Sequence, residues 1–244
     1  MATNIAHLPI RSPRPTIEID GQRIAVLDAA LMSYELTDSV ESMARAELIF
    51  GNWGGADKPG FQHFDRKTIE FGKAIKIKMG DDLLFEGRIS AISGVFPEGT
   101  PAQIGILAED RLQDLRMTRR TRCFAQKSLG DVARSIASDH GLQAQVSATA
   151  PSVPLLAQLN QSDLAFLTET ARRFDADLYV EGKNLHVVPS RDHPAARLAW
   201  AGTLRSFNVT ADLAHQRTAV TASGWDVKAK QAISHMAEKP AITR

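Results

Sequence analysis

AQLNQSDLAFLTETARRFDADLYVEGKNLHVV, residues 157–188, holds an extended lead-in, one amphipathic helix and a tight β-hairpin, and the other segments are placed as its neighbours. Ser162 is suited to cap a helix because its hydroxyl can accept a bond from an unpaired amide of the first turn. Asp163 adds negative charge where the helix dipole is positive. Leu164, Leu167, Ala171 and Phe174 recur at three- and four-residue spacing and define a buried side, with Glu169, Arg172 and Arg173 opposite. Beyond Asp175 the period changes to two. Leu178 and Val180 alternate with Tyr179 and Glu181, Gly182-Lys183-Asn184 supplies the turn, and Leu185 and Val187 alternate with His186 and Val188. The expectation is a hairpin packed against its own helix.

Just upstream, residues 128–141 predict a second helix. Ser128 with Asp131 three positions on is a variant of the capping box, Leu129, Val132, Ala133, Ile136 and Ala137 share a face, and Gly141 sits where a left-handed terminal residue is wanted. A short strand is expected over residues 143–146 and a Pro- and Ala-rich link over residues 148–154. The run LQDLRMTRRTR, residues 112–122, carries Arg116, Arg119, Arg120 and Arg122. Without interleaved aromatics it reads as a solvated or interface-facing connector rather than a nucleic-acid site.

The preceding residues are β-patterned. Residues 16–19 and 23–26 flank the turn Asp20-Gly21, and strands are expected over 32–36, 44–50, 73–79 and 102–108, with a strand pair over 83–96 passing through Gly87. Residues 37–42 read as a polar break. Short strands with regular turns predict a small antiparallel barrel or sandwich. Residues 51–67 form a glycine-rich loop with Trp53, Phe61 and Phe64. Three aromatics on a surface loop must either fold back on the domain or dock on another subunit, which makes them candidate subunit-interface residues. Residues 1–15, with three prolines, predict an extended arm. After residue 196, β patterning resumes over 197–201, 204–210 and 217–225, and residues 228–244 read as a linker or tail.

Composition bounds what these segments can do. A chain of 244 residues with 43% hydrophobic content can bury roughly 70–75% of its unfolded surface in one large core or two modest ones. Twenty-nine basic against 28 acidic residues leave a net charge of +1, so no global field would hold nucleic acid or an anionic membrane. The single cysteine, Cys123, excludes an internal disulfide and fits a reducing cytoplasm. No apolar run approaches the ~20 residues that span a bilayer, and the N-terminus lacks a signal-peptide pattern, so membrane insertion and Sec export are not expected.

No catalytic constellation is visible. His7, His63, His140, His186, His193, His215 and His235 lie far apart, with no helix-borne metal spacing, and there is neither a phosphate-cradling glycine loop nor a GxSxG elbow. Asp81-Asp82 and Asp175/Asp177 sit at turns, where solvated carboxylates outnumber acid–base pairs. The expectation is a non-enzyme with no catalytic, cofactor or metal site.

The ordered phrases QKSLGDVARSIASDHGL, LNQSDLAFLTETARRFDADLYVEGKNLHV and LRSFNVTADLAHQRTAVTASGWDVKAKQAI resemble the phage late control D proteins, over roughly residues 16–233. These are related to the baseplate hub of contractile-tailed phages and to the N-terminal part of VgrG-type spikes. The resemblance implies a mainly β fold with an α/β insertion: an arm over 1–15, a first β-barrel-like domain over 16–122, the insertion over 123–190, and a second, incomplete barrel segment with a tail over 191–244. It also implies a homotrimer, a pseudo-sixfold symmetry adapter between a sixfold inner tube and a threefold spike, with the inner tube protein, a separate spike protein and other baseplate proteins as partners. The chain would be made in the bacterial cytoplasm and assembled into a phage tail or injection particle. Arg172, Arg173 and Glu181 then join Trp53, Phe61 and Phe64 as candidate interface residues. Two other functions stay open on sequence: a tail-tip hub with cell-wall-degrading activity, and a β-rich nucleic-acid-binding module using residues 116–122.

Overall fold

The computed structural model describes residues 14–39, 42–55, 59–190, 197–200, 202, 204, 206–210 and 218–237. The arm expected over residues 1–15 lies outside them, apart from Arg14 and Pro15. The chain divides into two compact units, Pro9–Pro194 and Ala195–Arg244 with Met1–Leu8.

In chain order the larger unit holds β1 (Thr16–Ile19), β2 (Gln22–Arg23), α1 (Ala25–Ala30), β3 (Leu31–Ser39), β4 (Ser42–Gly51), β5 (Trp53–Gly54), β6 (Gly60–Phe61), β7 (Ala74–Met79), β8 (Asp82–Val95) and β9 (Gln103–Glu109). There follow α2 (Leu112–Arg116), β10 (Arg119–Lys127), α3 (Leu129–Asp139), β11 (Gln143–Val146), β12 (Val153–Ser162), α4 (Asp163–Arg173), β13 (Ala176–Glu181) and β14 (Asn184–Pro189). A mainly β fold carrying α/β elements is therefore present, as the sequence predicts.

Seven strands make one antiparallel sheet in the order β2-β1-β7-β8-β9-β4-β3, barrel-like in connectivity but open, with β2 and β3 as its ends. Strand alternation puts every second side chain on one face. Ile17 and Ile19, Ile75 and Ile77, Ile104 and Ile106, and Ala46, Leu48 and Phe50 all point there, joined by Leu27 and Ile69 from outside the sheet. Burying an isoleucine or phenylalanine contributes about 1.5–3 kcal/mol each. The lysines of β7 face the other way, and Lys76 and Lys78 pair with Glu86 and Glu18 at 3.2 and 2.6 Å.

Three elements differ from the sequence reading. The first return strand stops at Arg23, and residues 25–30 are helical. Alanine favours helix, and the buried carboxylate of Asp28 accepts from Ile17 N at 2.7 Å and from Arg23 Nε at 2.8 Å, which ties the helix to the first hairpin. Residues 82–95 form one fourteen-residue strand rather than a pair. It passes Gly87 without a turn because glycine leaves room there: an added Cβ would lie 2.3 Å from the Glu109 carbonyl oxygen. The polar stretch after Leu36 does not break the ribbon at once, since β3 runs on to Ser39 and β4 begins at Ser42.

Beyond β9 the chain builds a second core. Strands β10 and β12 form an antiparallel ribbon, and β11-β14-β13 form a three-stranded sheet in which β11 and β14 are parallel. Ser128 caps α3 through a full capping box with Asp131, and Ser162 Oγ accepts from Ala165 N at 3.2 Å to cap α4. Leu129, Val132 and Ile136 of α3 and Phe166 and Leu167 of α4 meet Leu185 and Val187 of β14 in one buried cluster.

In the smaller unit, β15 (Val220–Asp226) and β16 (Gln231–Ala237) form an antiparallel hairpin. Residues expected as tail therefore supply a strand. The four residues between Asp226 and Gln231 turn the chain, with the Asp226 carboxylate accepting from Lys228 N and Ala229 N at 2.8 and 2.9 Å. Of the strands expected over 197–201 and 204–210, the described residues show one isolated bridge, between Trp200 and Leu204.

Candidate functional site

Trp53, Phe61 and Phe64 come together on the loop that joins β4 to β7. The ring of Phe61 meets Trp53 edge-on at 5.5 Å and Phe64 at 5.4 Å, and it also meets Phe96 at 5.7 Å. Phe96, which stacks on Phe64 at 5.8 Å, was not singled out from the sequence. It follows β8 at a distance in sequence that only the tertiary fold brings close. Gly94 makes the space, since a Cβ there would lie 2.7 Å from Phe64 Cζ.

The loop is braced from beneath by Asn52, fully buried, whose Oδ1 accepts from Gln62 N at 3.1 Å and His63 N at 2.7 Å. Burial lowers the pKa of His63 below the ordinary histidine value, against the raising influence of Asp65. The loop thus folds back on its domain and still leaves Trp53, Phe61 and Phe96 exposed by 51%, 54% and 63%. Aromatic groups that pack on one another while facing water form a rigid, low-entropy contact surface.

The arginine run is engaged inside the chain. Arg116 grips Glu109 with two bonds of 3.1 and 2.7 Å. Arg119 begins β10 rather than a loop, and the expected connector is in fact a short helix and a strand. Arg120 and Arg122 lie two apart on that strand and so share a face. Both reach Asp139 at the end of α3, at 3.1 and 2.6 Å, and Asp163 at the start of α4, at 3.5 and 2.8 Å. Asp163, 1% exposed, also accepts from Gln158 Nε2 and pairs with His140 Nε2, each at 2.8 Å. Burial pushes the Asp163 carboxyl up, but the bonds from His140 and Gln158 and the charges of Arg122 and Arg120 outweigh it and hold the carboxyl below its ordinary range. This network fastens α3, α4 and the β10–β12 ribbon to one another. Its sequence signal was the i, i+2 spacing of Arg120 and Arg122 on a strand.

Arg172 and Arg173 lie on the exposed side of α4, as expected, with Arg173 bonded to Glu169 one turn back. Glu181 closes β13, 3.7 Å from His186 Nε2, and borders a separate depression shared with Leu83 and Leu84 of β8. The six residues named from sequence therefore fall on three places rather than one. Among the described residues no group of histidine, cysteine, aspartate and glutamate side chains could hold a metal ion, and no helix is long and apolar enough to cross a membrane.

The sequence pattern of the Alg8 N-terminal domain family matches residues 11–244. No curated protein matches the chain. Among solved structures, the tail protein from Neisseria meningitidis MC58 is similar at a TM-score of 0.66 and 14% identity, covering 96% of this chain and 69% of that one. The 43 kDa tail protein of prophage MuSo2 from Shewanella oneidensis is similar at 0.58 and 15% identity, covering 72% and 53%. The Escherichia coli c3393 protein is described as a component of the type VI secretion system, structurally similar to the T4 tail proteins gp27 and gp5. It is similar at 0.54 and 11% identity, covering 87% and 56%. The fold is shared with these proteins, and the chain spans about half the length of the Shewanella and E. coli relatives.

Proposed function

The chain belongs to the Alg8 N-terminal domain family, and from that premise and its tail-protein fold we propose that it is a structural, non-enzymatic component of a contractile phage tail or a phage-tail-like injection system. Within that particle it acts as the baseplate hub, of the late control D kind. Three copies form a pseudo-sixfold ring, which adapts a sixfold inner tube to a separate threefold spike. The observation that carries this reading is the correspondence of nearly the whole chain to a tail protein. The exposed Trp53–Phe61–Phe96 surface is consistent with it, because rigid aromatic anchors suit permanent subunit contacts.

The test is co-expression with the inner tube protein and the spike protein of a contractile tail, followed by size-exclusion chromatography with light scattering. A complex containing three 26.6-kDa copies of this chain is the expected result. A protein that stays monomeric and joins neither partner overturns the reading.

A further inference from the structure

Between the sheet and the α/β elements of the larger unit lies a cavity of about 210 Å³. Its wall is apolar: Leu112, Ala171 and Ala176 are buried, and Met43, Leu164 and Leu178 are half-buried. Two charged groups stand on it. The carboxylate of Asp177 accepts from Ser190 Oγ at 2.8 Å. Arg172 is exposed and makes no ion pair among the described residues, whereas its neighbour Arg173 is held by Glu169. Arg172 also borders a shallow depression along α4 formed with Ala165, Thr168 and Glu169. An apolar slot beside one unengaged guanidinium thus opens onto a helix face.

We propose that this cavity binds a partner segment through one leucine-sized side chain, with a flanking carboxylate on the Arg172 guanidinium. The volume fits a single branched side chain rather than a drug-sized ligand, which needs ~300 Å³ or more. The Asp177 carboxylate is already engaged by Ser190 Oγ, whereas the exposed Arg172 guanidinium has no ion pair among the described residues, so an acidic residue is favoured beside the anchor. The source of the segment rests on the assembly reading above, as a tail component of stated chemistry: acidic and carrying a leucine-sized anchor.

The experiment uses the full chain, labelled at its methyl groups, titrated with the peptide acetyl-Glu-Leu-Glu-amide and followed by NMR. Saturable shifts at the methyls of Met43, Leu164 and Leu178 are expected. Acetyl-Glu-Ala-Glu-amide should bind about tenfold more weakly or worse, because three buried carbons are lost. Arg172→Ala, on the exposed face of α4, should weaken the acidic leucine peptide about threefold. It should leave acetyl-Gln-Leu-Gln-amide unchanged. No saturable shift, equal binding of the leucine and alanine peptides, or shifts mapping elsewhere each overturn the proposal. The titration needs no tube or spike, so its failure leaves the hub reading standing, and failure of assembly leaves the binding result intact.

Discussion

At the residue scale, two buried acids respond to pH in opposite senses. Burial raises the pKa of Asp110 to about 6, against the lowering influence of its bonds from Ala44 N and Leu112 N, each 2.8 Å. A folded-state pKa above the unfolded value contributes stability that is full in acid and lost as pH rises from about 4 to about 6. Asp110→Asn should abolish that dependence in urea titrations across the window. It should also cost about 1–2 kcal/mol, since Ala44 N and Leu112 N donate to different carboxylate oxygens and one of them would face the NH2 group of the amide. Asp163 has a depressed pKa, so its contribution is present above the ordinary carboxylate range and lost as pH falls through the folded-state value. Asp163→Ala should cost on the order of 3–5 kcal/mol in denaturant unfolding, because Arg122, Arg120 and His140 lose a buried partner. Gly94→Ala places a carbon against Phe64 and should cost about 1–3 kcal/mol while shifting the emission of Trp53.

At the element scale, the two helices were legible because their signals are local. Ser128 with Asp131 and Ser162 mark the first turns, and the apolar spacing of Leu129 to Ala137 states which side is buried. Ser128→Ala should cost about 1 kcal/mol and destabilise α3, read by circular dichroism melting. The β13–β14 hairpin was equally plain, with Gly182 at a φ of 57° in its turn. Other elements depended on partners remote in sequence. Nothing near residue 87 tells a reader that β8 continues unbroken, because the reason is the Glu109 backbone across the sheet. The alternating Arg120 and Arg122 read as a solvated run, since Asp139 and Asp163, which engage them, lie on two later helices. Strand β16 falls in the stretch read as linker or tail because residues 228–244 are polar and lack a repeating period; its seven residues are exposed throughout, and pairing with β15 defines them.

At the scale of the molecule, the aromatic loop was readable as a place needing cover, and the tail-protein fold followed from the order of segments. How the four rings meet was not, because Phe96 joins from the far end of β8. If the surface is a subunit contact, the double substitution Trp53→Ala, Phe61→Ala should leave the melting temperature of the isolated chain nearly unchanged. Both rings are about half exposed there. It should weaken self-association by roughly 2 kcal/mol or more, measured by sedimentation equilibrium in analytical ultracentrifugation.

The parallel pairing of β11 with β14 sets an order of events during synthesis. Gln143–Val146 leaves the ribosome well before Asn184–Pro189, the strand it must join, and α4 and β13 are made in between. Until then Leu129, Val132 and Ile136 have no Leu185 or Val187 to close over them. Parallel pairing of distant segments forms slowly because loop closure precedes any gain from contact. The nascent chain therefore carries an open apolar helix face through the translation of some forty further residues, at about 5–20 residues per second a wait of seconds. A stalled chain ending after β11 should be digested by protease, and one ending after β14 should resist.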